Sequence, residues 1–88
     1  MKVLFTDNGW EDYRWWCIND TVTLLRLNEL IENVRRDPFK GIGKPEPLKG
    51  TLAGFWSRRI TAEHRLVYDV SGKGDAQTVT IVLCRYHY

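Results

Sequence analysis

Thr78-Val79-Thr80-Ile81-Val82-Leu83-Cys84-Arg85-Tyr86-His87 alternates with the two-residue period of a β-strand. Val79, Ile81 and Leu83 fall on one side of it, and Thr80, Val82 and Cys84 on the other. Chain ends fray unless something ties them down. A strand over residues 78–87 would hold the tail against a sheet and deliver an imidazole and a phenol, His87 and Tyr88, at its exposed end. The rest of the chain must therefore supply the sheet and whatever covers it.

Working back from this strand, Ser71-Gly72-Lys73-Gly74-Asp75 is a turn. Residues 65–70 and 55–60 read as two further strands, joined tightly through Thr61, Ala62 and Glu63. Arg58 and Arg59 are consecutive in a strand and so point to opposite faces. Arg58 is expected at the surface beside Asp69 or Glu63, His64 at a turn or strand edge, and Trp56 in the core. Residues 39–50 form a loop with glycines at 41 and 43. Within it Glu46 stands between Pro45 and Pro47, which restrict the backbone and push Glu46 towards an extended conformation. On spacing alone, a solvated turn and a carboxylate held out for chemistry both fit.

The N-terminal third supplies the cover. Residues 2–6 read as a first strand. Asn8 followed by Glu11 fits a capping box, which predicts a helix from there to about Ile18, with Trp10, Tyr13 and Cys17 on its core face. Asn19-Asp20 breaks it, and a second helix follows over residues 21–36. Leu24, Leu27, Ile31 and Val34 form its apolar face, widened by Leu25 and Leu30. Arg35 and Arg36 suit the negative end of the helix dipole, and Asp37-Pro38 stops it. The order is βααβββ: an α+β fold, two N-terminal helices packed on an antiparallel sheet.

Eighty-eight residues make one domain, here spanning 1–88. A chain of this size buries only about 60–65% of its extended surface, enough for one helical layer on one sheet. Nothing resembles a signal peptide, and no apolar run approaches the roughly 20 residues of a membrane span, so no membrane partner is expected and the cytoplasm is the default. Cys17 and Cys84 match no zinc spacing and are expected as small buried hydrophobes. Net charge is +2, unevenly spread. Residues 1–34 carry three basic and six acidic side chains, whereas residues 35–88 carry ten basic and five acidic ones. A polyanion would dock on the C-terminal half.

Zinc spacing, a serine-type triad signature and a phosphate-cradling glycine loop are all missing from the sequence. What remains is Glu46, His87 and Tyr88 with Lys49, Arg59 and Arg65. These residue types suit cutting an RNA backbone without metal or other cofactor. A base takes the proton of a ribose 2′-hydroxyl, an acid protonates the departing 5′-oxygen, and cations neutralise the phosphorane-like transition state. Cations that only grip phosphates fit the same residues.

Four stretches then become diagnostic: Lys44-Pro45-Glu46-Pro47-Leu48-Lys49, Gly54-Phe55-Trp56-Ser57-Arg58-Arg59-Ile60-Thr61, Glu63-His64-Arg65-Leu66-Val67-Tyr68 and Cys84-Arg85-Tyr86-His87-Tyr88. Together with Trp10-Glu11-Asp12-Tyr13 and Asn28-Glu29-Leu30-Ile31, they closely resemble the YoeB toxins of the RelE/ParE superfamily, in the same order along the chain. The turn at residues 71–77 looks a few residues longer than is usual in that family. The resemblance implies a RelE-like microbial RNase fold. It also implies a bacterial type II toxin that cleaves mRNA in the ribosomal A site, leaving 2′,3′-cyclic phosphate and 5′-hydroxyl ends. It places the general base on Glu46, the general acid on His87 and the transition-state arginine on Arg65. Tyr88 lines the implied site, and Lys49 and Arg59 contact phosphate and RNA. The implied partners are the 70S ribosome with its mRNA, a YefM-like antitoxin, and a second copy of the toxin, assembling as a homodimer or a toxin–antitoxin heterotrimer or heterotetramer. The alternative function is an A-site binder that blocks translation without cutting.

Overall fold

The computed structural model describes residues 1–86. Strand β1 (Lys2–Phe5) leads into helix α1 (Asp7–Asn19) and then α2 (Thr21–Arg36). Four strands follow: β2 (Glu46–Pro47), β3 (Trp56–Arg59), β4 (Arg65–Ser71) and β5 (Thr78–Leu83). They lie in the order β1-β5-β4-β3-β2, so both helices cover one five-stranded sheet. The α+β class stands, with two additions to the expected layout. Glu46-Pro47, expected in a loop, pairs antiparallel with β3. The first strand pairs parallel with β5, which makes the sheet mixed rather than wholly antiparallel. A pairing between residues some 75 positions apart has no local signal in the sequence.

Helix α1 starts earlier than the capping-box reading predicts. Thr6 is the cap: its Oγ1 accepts from the Gly9 amide at 3.1 Å. Asn8 lies inside the first turn and donates instead to the Val82 carbonyl and to Asp12. The buried face is therefore Gly9 and Trp16, whereas Trp10 and Cys17 point outward. Glycine is required at position 9, because a Cβ there would collide with the Ile81 carbonyl oxygen. Trp10 is not lost to packing altogether; it stacks on Tyr13 and edges Phe5 at the rim of the sheet. Asp20 closes α1 and caps α2, its carboxylate accepting from the Thr23 amide and hydroxyl at 3.0 and 2.8 Å. Those bonds hold its carboxyl below the ordinary carboxylate value.

Leu27, Leu30 and Val34 of α2 pack with Trp16, Ile60, Leu66, Tyr68, Val79, Ile81 and Cys84 in the core. Leu24 and Ile31 flank it, while Leu25, expected to widen the apolar face, is 69% exposed. The β4–β5 register explains another difference. Val67 pairs with Leu83 but the next residue, Tyr68, pairs with Ile81, so Val82 is an extra residue in β5. The bulge switches the phase of the strand. Leu83 moves to the face opposite the helices, and Cys84 enters the core in its place. Regular strand structure ends at Leu83, short of the expected residue 87.

Arg58 departs furthest from expectation. It is fully buried on the helical side of the sheet rather than paired with Asp69 or Glu63. Its Nε donates to the Tyr68 hydroxyl (3.0 Å), and Nη1 to Asn33 Oδ1 (2.7 Å) and the Ile42 carbonyl (2.9 Å). Nη2 donates to the carbonyls of Asp37 (2.8 Å) and Lys40 (3.2 Å). A buried guanidinium is tolerated only when its donors are matched. Here they meet the negative end of α2 and the loop that follows it.

Candidate active site

On the sheet face away from the helices, Glu46 stands directly across from Ser57, and Ser57 across from Val67. Two residues further along the same face, Arg59 stands across from Arg65. Two like charges directly opposite one another oppose sheet formation, so sheet stability does not account for this pair. Lys44, two residues before Glu46, completes the group. Lys44, Glu46, Ser57, Arg59 and Arg65 line one hollow of about 110 Å³.

Each wall has a local cause. Pro47 and Pro45 keep Glu46 extended, and pairing with Ser57 fixes the direction of its carboxylate. Lys44 has a positive φ of 52°, a conformation that costs a non-glycine residue roughly 1–3 kcal/mol and is met mostly where a site demands it. The Arg59 amide donates to the Gly43 carbonyl at 2.6 Å, which draws the loop carrying Lys44 onto the end of β3. Arg65 is held by the turn before it: Nη1 donates to the carbonyls of Thr61 (2.8 Å), His64 (3.1 Å) and Ala62 (3.3 Å).

Of the expected site residues, Glu46, Arg59 and Arg65 come together here. Lys49 does not line the hollow; it is exposed at the start of the 3₁₀ turn Gly50–Leu52. His87 and Tyr88 lie outside the described residues. The chain leading to them is fixed, because the Tyr86 carbonyl accepts from the Arg65 amide at 2.8 Å. Lys44 and Ser57 are not singled out by the sequence pattern. The two-residue offset of Lys44 from an extended Glu46 is a usable signal; Ser57 has none, since it needs the β2–β3 register.

A larger hollow of about 310 Å³ lies between the helix junction and the β3–β4 turn, lined by Trp16, Asp20, Thr23, Thr61, Ala62, Glu63 and His64. Its two carboxylates disfavour a phosphate. The smaller hollow sets one carboxylate among three cations, which suits an anion whose charge grows during reaction.

The family model of the YoeB-like toxin of bacterial type II toxin–antitoxin systems matches residues 5–88. The chain belongs to this family. Among YoeB relatives, the toxin YoeB of Streptomyces coelicolor is 53% identical over 88 residues, covering all of both chains. Among solved structures, the YoeB/ParE toxin from Agrobacterium tumefaciens is 53% identical with a TM-score of 0.94, covering all of both chains. The toxin of the heterotetrameric YoeB–YefM complex from Staphylococcus aureus is 42% identical, with a TM-score of 0.86 over 100% of this chain and 98% of that one. These YoeB structures share the two-helix, five-strand layout, and this chain is a type II toxin of their kind. Among the described residues no helix is long and apolar enough to cross a membrane.

Proposed function

We propose that this toxin is a ribosome-dependent endoribonuclease that cuts mRNA in the A site by metal-independent attack of a ribose 2′-hydroxyl on the adjacent phosphorus. The observation that carries the reading is one carboxylate facing three cations across a small hollow, in a member of the YoeB family. Glu46 is the general base that removes the 2′-hydroxyl proton. Arg65, with Arg59 and Lys44, stabilises the dianionic phosphorane-like transition state. His87 is the general acid for the departing 5′-oxygen, and Tyr88 is a further residue lining the site. Each proton transfer contributes about 10²–10⁴-fold. Lys49, outside the hollow, grips a neighbouring phosphate. The products are a 2′,3′-cyclic phosphate and a 5′-hydroxyl end.

The toxin works in the cytoplasm, and a YefM-like antitoxin neutralises it, by analogy with the S. aureus heterotetramer in which YoeB is bound to YefM. It assembles as a homodimer or with antitoxin as a heterotrimer or heterotetramer.

The test is to map mRNA 5′ ends on 70S ribosomes treated with wild type, Glu46→Ala and His87→Gln. Cleavage by wild type alone, with ribosome binding kept in all three, is the expected result. Equal translation arrest with intact mRNA replaces the nuclease with an A-site blocker.

A further inference from the structure

We infer that His64, outside the smaller hollow, is a positioning residue that holds the chain at Tyr86, immediately before His87, by accepting a hydrogen bond from the Tyr86 backbone amide. The inference rests on the nuclease reading for its consequence, though not for its geometry. Past the last regular residue of β5, the chain is caught at four backbone groups. The Cys84 amide donates to Asp12 Oδ2 at 3.0 Å, and the Cys84 carbonyl accepts from Trp16 Nε1 at 2.8 Å. The Tyr86 amide donates to His64 Nδ1 at 2.6 Å, and the Tyr86 carbonyl accepts from the Arg65 amide at 2.8 Å. Between them the Arg85 guanidinium lies 3.9 Å from the Trp15 ring centroid and 4.7 Å from that of Tyr86.

Tyr86 has a φ of +63°. A bulky residue enters that left-handed region only when its neighbours hold it there. Of the two bonds made by its backbone, the one to His64 comes from a side chain and the other from the Arg65 amide. The His64 ring is fixed in turn by edge contact with Trp16 at 4.8 Å and 88°, and by Tyr86 at 5.3 Å. Nδ1 can accept only if the ring is neutral with its proton on Nε2. The tautomer is thereby assigned.

The same turn also supplies the three carbonyls that hold the Arg65 guanidinium. Residues 61–64 thus tie one wall of the hollow to the segment that runs directly into His87 and Tyr88. Losing the Nδ1 acceptor releases Tyr86 from its left-handed conformation and with it the direction in which the chain leaves Tyr86. Small misplacements of a proton donor are costly to rate and nearly silent in binding.

The experiment compares wild type with His64→Phe, which keeps the ring packing without an acceptor, and His64→Asn, which puts a carboxamide oxygen near the place of Nδ1. Three quantities are read: single-turnover cleavage on mRNA-programmed ribosomes, hydrogen exchange of the Tyr86 amide, and the imidazole ¹⁵N spectrum. The expected result is a fall in kcat of about 10–100-fold for the phenylalanine variant with KM little changed, together with faster Tyr86 exchange. The asparagine variant recovers both, and the wild-type spectrum shows Nδ1 unprotonated. Wild-type cleavage and exchange in His64→Phe, a proton on Nδ1, or equal losses in both variants that track melting temperature overturn the inference. A wild type that leaves mRNA intact overturns the nuclease reading alone, since the exchange and ¹⁵N measurements still decide whether His64 holds the tail.

Discussion

Arg58 and Arg59 are chemically the same residue one position apart, and the pleat gives them opposite fates. Arg59 lines the hollow with Glu46 and Arg65; Arg58 is sealed behind the sheet, its donors shared among Tyr68, Asn33 and three loop carbonyls. Those carbonyls belong to residues 37–42, the segment that begins the approach to Lys44 and Glu46. Arg58→Met keeps much of the volume but strands buried acceptors, each worth about 1–3 kcal/mol when left unpaired. The variant is expected to lose roughly 3 kcal/mol in urea unfolding, and Arg58→Lys nearly as much, because an ammonium cannot span the fork of acceptors. Unchanged urea midpoints would mean that the guanidinium is incidental. Sequence pattern places Arg58 at the surface for a general reason. Arginine is seldom fully buried, and the acceptors that make it possible come from a helix end and a loop whose convergence is not written in any local window.

Among the elements, α2, β4 and β5 are legible because each repeats its apolar positions over several turns or pleats: Leu27, Leu30 and Val34 in the helix, Leu66 and Tyr68 in β4, Val79 and Ile81 in β5. Beyond the two unexpected pairings of β1 and β2, the parts that are not legible are those where one residue changes the phase. The bulge at Val82 moves Leu83 out of the core and Cys84 into it. The cap at Thr6 rather than Asn8 rotates the buried face of α1 onto Gly9 and Trp16. The candidate site follows the same division. Glu46, Arg59 and Arg65 carry recognisable chemistry, whereas Ser57 and His64 take their places only through strand register and the path of the tail. Helix α1 is also the element that grips the start of that tail, through Asp12 and Trp16. Gly9→Ala therefore tests the element as a whole. The added methyl meets the Ile81 carbonyl, and the helix must lift from β5 at a cost of about 1–3 kcal/mol. The expected signature is a lower melting temperature together with a fall in mRNA cleavage, read on the same preparation. Full activity in a destabilised protein would separate the grip of α1 from the arrangement of the site.

At the scale of the whole molecule, three acids among the described residues are packed where their anions are unwelcome. Burial raises the Cys84 thiol from its usual 9.0 to about 12, with Asp12 adding to the effect. Burial likewise raises Tyr68, against the opposing pull of Arg58, and raises Tyr13, with Cys17 adding to it. A group whose folded value is raised holds its proton more tightly in the native state. The stability it contributes is complete below the unfolded-state value and is lost as pH climbs through the folded one. For Cys84 that window runs from 9.0 to about 12, and the two phenols join it above 10.0. Asp20 has the opposite sign: its lowered value gives stability that is present above the ordinary carboxylate range and is lost on acidification. The protein is thus expected to melt at falling temperatures once the pH passes about 9, well before its lysines discharge. Thermal unfolding followed by circular dichroism from pH 7 to 11 checks this, with Cys84→Ala as the control. The variant starts less stable, from the cavity it leaves, but declines less steeply between pH 9 and 10, where the wild-type thiol ionises in the unfolded chain. Parallel curves for the two proteins would show that Cys84 is not linked to the alkaline loss and that the phenols alone must carry it.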